Sequence, residues 1–70
     1  MNGLEIARVE KYLRGKFKND TITIDASGRK DGSAEVSIAK EFIGLIYRDE
    51  DEGEVSYAFH IAIIDEDLPT

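Results

Sequence analysis

A chain of 70 residues with no cysteine has a marginal core, because a domain this small buries only about 60% of its unfolded surface and has no thiol for a disulfide or a thiolate-bound metal. Its net charge of −6 is unevenly spread: residues 1–40 carry eight basic groups against six acids, residues 41–70 one basic group, Arg48, against nine acids. So acidic a second half opposes nucleic acid and anionic lipid, no apolar run approaches the roughly 20 residues of a membrane span, and Met1–Ala7 lacks the basic start and apolar stretch of a signal peptide, so a cytoplasmic protein is expected.

The first element is a helix over residues 3–16. Asn2 followed three residues on by Glu5 is a variant of the capping box, and Ile6, Val9, Leu13 and Phe17 recur at helical spacing as one apolar stripe. Lys16 and Lys18 suit a helix C-terminus, and Gly15 weakens the last turn, so the helix is expected to stop near it. Residues 21–25, "TITID", alternate as a half-buried strand. Ser27–Ser33 reads as a loop, and residues 34–39 as a second strand with Val36 and Ile38 inward. Lys40-Glu41 is expected to close a tight hairpin into a third strand over residues 42–48. A five-residue acidic tip, Asp49–Gly53, then leads to a fourth strand over residues 54–64 and a frayed acidic tail, residues 65–70.

That tip length sets a register. It places Tyr47 opposite Val55, Leu45 opposite Tyr57 and Ile43 opposite Phe59, so that every bulky odd-numbered side chain shares one face. The expected architecture is α+β: a single domain, residues 1–70, with one N-terminal helix packed on a four-stranded antiparallel β-meander. Leu13, Leu45 and Phe59 are its expected core.

The stretch "AEVSIAKEFIGLIYRDEDEGEVSYAFHIAIIDEDL", with "YLRGKF" before it, resembles a family of small alphaproteobacterial proteins of about this length, catalogued as a domain of unknown function. The segments "EFIGLIYRDEDEGE", "SY" and "IIDEDL" are the most specific parts of the likeness. The chain departs from the family pattern at Ala39-Lys40, where Gly followed by an acid is more usual. The resemblance implies a compact bacterial protein and brings no site residues with it.

Little in the chain supports catalysis, a metal or a cofactor, and none is expected. From Asp49, an EF-hand pattern would need acids at positions 1, 3 and 5, Gly at 6 and Glu at 12. Gly53 falls at position 5 and His60 at 12, so Asp49–Glu54 reads as a solvated hairpin tip. His60 has no second His or Cys to share a metal, and Ser56 lies about 13 Å along the strand, too far for a direct hydrogen bond. No phosphate-loop spacing surrounds Gly28 and Gly32.

The expected interaction surface is the sheet face opposite the helix. In the register above it carries Phe42, Gly44, Ile46, Ala58, His60 and Ala62, with Ser56 beside them. Phe42 and Ile46 are expected to be dispensable for the core, and a charged pair of substitutions there to leave the fold intact. The leading expectation is therefore a non-enzymatic protein-interaction module whose partner is another protein or a second copy. The alternative is an anion- or nucleic-acid-binding accessory protein using Lys11, Arg14, Lys16, Lys18, Arg29 and Lys30.

Overall fold

The computed structural model describes residues 1–28 and 31–69. One helix, α1 (Gly3–Phe17), precedes four strands, β1 (Ile22–Asp25), β2 (Ser33–Ile38), β3 (Glu41–Asp51) and β4 (Glu54–Ile61). The strands form one antiparallel sheet in the order β1-β2-β3-β4. A 3-10 turn at Asp65–Asp67 follows, where the sequence suggested only fraying.

Capping chemistry fixes both ends of α1. The Asn2 side chain accepts from the Glu5 N–H at 2.8 Å, and the Glu5 carboxylate accepts from the Asn2 N–H at 3.0 Å. Gly15 does not end the helix. It continues to Phe17, and Lys18, in the left-handed region at φ 52°, returns its N–H to the carbonyls of Arg14 and Gly15.

Val9 and Leu13 bring the helix down onto Ile22 and Ile24 of β1, Ala34 and Val36 of β2, and Ile46 of β3. Of the predicted stripe, Ile6 packs at the margin of this core, while Phe17 is exposed. Polar contacts hold the helix toward one side of the sheet. Glu10 accepts the backbone N–H of Ile24 at 3.0 Å, Arg14 donates to the carbonyl of Ile22 at 2.8 Å, and the two side chains pair at 3.1 Å. Both backbone groups belong to the edge strand β1, so α1 is tied to that edge.

The turns differ from those expected. Ala39-Lys40, not Lys40-Glu41, connects β2 to β3, with φ of 51° and 68°. The acidic tip is likewise a two-residue turn, Glu52-Gly53, with φ of 51° and 85°, and not a five-residue loop. Two positive φ values are the arrangement that matches the right-handed twist of a hairpin, and Gly53 adopts its φ without steric cost.

The shorter tip corrects the β3–β4 register. Ile46 lies opposite Phe59, Arg48 opposite Tyr57 and Leu45 opposite His60. The offset from the expected pairing is three residues, an odd number, so β3 turns over relative to β4. Leu45 and Tyr47 therefore leave the helix side. Ile46, 2% exposed, becomes part of the core, so a charge at Ile46 would unfold the domain rather than spare it.

A bulge between Val36 and Ser37 adds a second irregularity. Ser37 pairs with Phe42 but Val36 pairs with Gly44, leaving Ile43 as the extra residue, packed against the core. At Gly44 the chains come so close that a Cβ would meet the His60 carbonyl oxygen at 2.1 Å. Only glycine fits without a backbone shift.

β2 pairs with β3 only as far as Tyr47, opposite Ser33. Arg48–Asp51 and Glu54–Tyr57 therefore project as a two-stranded ribbon. The radius of gyration, 13.0 Å, exceeds the roughly 11 Å of a compact chain of this length, and the long axis measures 44 Å against 23 Å for the others.

Candidate functional site

Off-centre docking of the helix leaves the β4 side of the molecule uncovered on both faces. On the face opposite α1, Phe42, Leu45, Tyr47, His60 and Ala62 line a shallow groove. His60 meets the edge of Tyr47 with ring centroids 5.5 Å apart and planes at 80°, a favoured aromatic geometry. Ala58 lies opposite Tyr47 in the ladder, on the same face. Phe42 is 56% exposed.

Of the six predicted surface residues, the structure thus brings together Phe42, Ala58, His60 and Ala62. Ile46 lies through the sheet in the core, and Gly44 contributes backbone alone. Leu45, expected in the core, and Tyr47, expected on the same face as Leu45, take their places. An X-Gly turn at Glu52-Gly53 was the available signal, since reading it as a two-residue hairpin assigns both residues correctly.

A second groove opens on the helix side, between α1 and β4, and sequence reasoning missed it. Arg8, Tyr12, Lys16 and Phe17 form one wall, Val55, Tyr57 and Phe59 the other, with Ile46 at its base. It exists because the helix is held over β1. Lys16, exposed like Lys11 and Lys18, stands at the rim of this groove, and Arg14 is committed to Glu10 and the β1 backbone. Arg29 and Lys30 lie outside the described residues.

One polar cluster closes the end of this groove. The Glu5 carboxylate accepts from Arg48 Nε at 2.6 Å and from the Tyr57 hydroxyl at 2.9 Å, joining α1, β3 and β4. The Asn2 backbone N–H, then Arg48 and Tyr57, hold its pKa down to about 2. Arg48 is shifted up, first by its bond to Glu5, and Tyr57 is shifted up by partial desolvation and then by its donation to Glu5. A carboxylate this firmly ionised, with its acceptor oxygens occupied, is a poor general base. The cluster fastens the ribbon to the helix.

The acidic tip is drawn out into paired strands. Asp49 and Asp51 belong to β3, Glu54 to β4, and Glu50 pairs with Arg48 at 3.3 Å. Among the described residues no three His, Asp or Glu side chains converge on a point that a metal ion could occupy. No described helix is long and apolar enough to cross a membrane.

Residues 5–67 match the family described as protein of unknown function DUF3126, a stretch that holds the helix from Glu5 onward, all four strands and the 3-10 turn. The chain belongs to that family. Both grooves and the Glu5 cluster fall within the matched residues. No curated protein and no solved structure matches the chain.

Proposed function

We propose that this chain is a non-enzymatic protein-interaction module that pairs with a second copy of itself through the β3–β4 ribbon. The observation that carries this reading is the asymmetry of the sheet edges. At the β1 edge, Glu10 and Arg14 occupy the outward backbone groups of Ile24 and Ile22. At the β4 edge, the strand has β3 as its one neighbour in the sheet and exposes Val55, Tyr57 and Ile61. An apolar edge strand is a template for adding another strand, and two identical edges pair most simply about a two-fold axis. The groove of Phe42, Leu45, Tyr47 and His60 extends the apolar surface around the same strand pair.

Sedimentation from low micromolar to near-millimolar concentration tests the reading. The wild type is expected to shift from monomer to dimer mass. Val55→Lys with Ile61→Lys, both outside the buried core, is expected to stay folded and monomeric throughout. A wild type that remains monomeric across the range refutes the proposal.

A further inference from the structure

α1 covers only half the width of its sheet. Neighbouring strands lie about 4.8 Å apart and packed helices need about 8–10 Å between their axes, so one helix spans roughly two strands. Glu10 and Arg14 hold α1 at the β1 edge. The layer above β3 and β4 is left to the groove, whose floor is Ile46, Val55 and Phe59. A trough of that width alongside α1 has room for one more helix.

The flank of α1 that borders this space sets the charge of the occupant. Arg8, Tyr12 and Lys16 line it at intervals of four residues, so the two cations stand about 12 Å apart along the helix axis with an aromatic ring between them. Neither forms an ion pair with a described residue, in a chain whose acids outnumber its Lys and Arg residues 15 to 9. We infer that the groove binds an amphipathic helix of another protein. Its apolar stripe lies on the groove floor, and its flank carries two acids, about seven or eight residues apart, that meet Arg8 and Lys16. Such a helix covers apolar surface that α1 leaves bare, with Tyr12 63%, Phe17 56% and Val55 43% exposed. The inference goes beyond self-pairing and does not depend on it, because the groove lies on the helix-side face and the β4 edge in the plane of the sheet.

Among the described residues the chain itself supplies no such helix. The exposed side of α1 presents Arg8, Lys11, Lys16 and Lys18, so α1 of a second copy would set like charges together. Asp49–Asp51 and Glu54 are held in paired strands, with Glu52 in their turn. Asp65–Asp67 form one 3-10 turn, too short to offer acids two helical turns apart.

Two model peptides test this against the full chain at low micromolar concentration. Each has about 14 residues and is covalently bridged to hold it helical, since free helices of that length are marginal. Both carry one leucine stripe; one places Glu at two flank positions about seven residues apart, the other places Lys there. The Glu peptide is expected to bind the wild type about tenfold more tightly than the Lys peptide, against the chain's own net charge of −6. Arg8→Glu with Lys16→Glu is expected to invert that preference. Lys11→Glu with Lys40→Glu makes the same change of charge away from the groove and is expected to leave the preference in place. All four residues lie outside the buried core, and thermal melts check that both variants fold; the comparison of the two peptides on the wild type needs no variant. A wild type that binds neither peptide, or both alike, refutes the inference, as does an off-groove reversal that acts as strongly as the groove reversal. If self-association of the wild type competes with the Glu peptide, a second copy holds the groove and the inference fails while self-pairing stands. A monomeric wild type that binds the Glu peptide refutes self-pairing alone.

Discussion

Ile46 and Leu45 are neighbours in sequence on opposite faces of β3, and a pair of truncations measures which face the helix covers. Ile46 is 2% exposed, beneath α1 and between Ala34 and Phe59 in the ladder. Ile46→Ala removes three buried carbons from a site bordered by two strands and a helix, where partial collapse leaves a cavity; such changes cost about 2–5 kcal/mol. A domain of this length has about 4–10 kcal/mol in total, so a cost of about 3 kcal/mol takes a third or more of it. At about 4–8 °C per kcal/mol, Tm falls by about 12–24 °C, and with a slope near 1 kcal/mol/M the urea midpoint falls by about 3 M. Leu45→Ala, half-buried on the open face, is expected to cost about 1 kcal/mol. Urea melts at low protein concentration, where self-pairing contributes least, separate the two. Should Leu45→Ala cost more than Ile46→Ala, Leu45 lies under the helix and the two-residue turn at Glu52-Gly53 is wrong.

Acid should loosen the tie between helix and ribbon. The Glu5 pKa is lowered in the folded state to about 2, so its stabilisation is complete above the ordinary carboxylate range and is lost as pH falls from about 4.5 toward 2. Glu5→Gln should flatten that part of a melt-versus-pH profile, and an unchanged slope would rule out the Glu5 cluster as its source. Gly44→Ala, which drives a Cβ into the His60 carbonyl, should destabilise by about 1–3 kcal/mol or more; a neutral result in chemical denaturation would mean that β3 and β4 separate easily there. Ala39→Gly and Glu52→Asn relieve left-handed conformations at exposed turn positions and should each stabilise by roughly 0.5–1 kcal/mol, seen as additive rises in Tm; a fall in either would show that the native side chain makes a contact worth more than the strain.

The helix, the strand order and much of β1 and β2 were legible because each carries one dominant period. Ile22 and Ile24 alternate with polar residues, and Val9 and Leu13 sit four apart behind a cap. β3 was not legible in the same way. "FIGLIYR" is apolar at nearly every position, so either parity gives a plausible buried face, and the decision passes to the turn that follows. There, a run of acids looked like a loop because charged residues are poor strand formers. In the structure Asp49–Asp51 pair with Glu54–Ser56 regardless, since a positive-φ pair at Glu52-Gly53 suffices to reverse the chain. The bulge at Ile43 is a second parity change that no spacing rule shows. The helix-side groove depends on how far the helix sits from the centre of the sheet. That offset is set by Glu10 and Arg14 reaching backbone groups, and helical periodicity marks those two residues only as solvent-facing.

Those two side chains also bear on how large an assembly can become. A sheet with two bare edges can add copies without end and grow into a fibre. Here the Glu10–Arg14 pair occupies backbone groups of Ile24 and Ile22 at the β1 edge, and the pairing proposed through β4 would use up the other edge. Under that proposal, growth would terminate at two copies and eight strands. Removing the helix side chains while leaving the core intact would convert a closed pair into a unit with a sticky end at each extremity. On that proposal, the ion pair that clamps α1 to β1 would also guard against polymerisation.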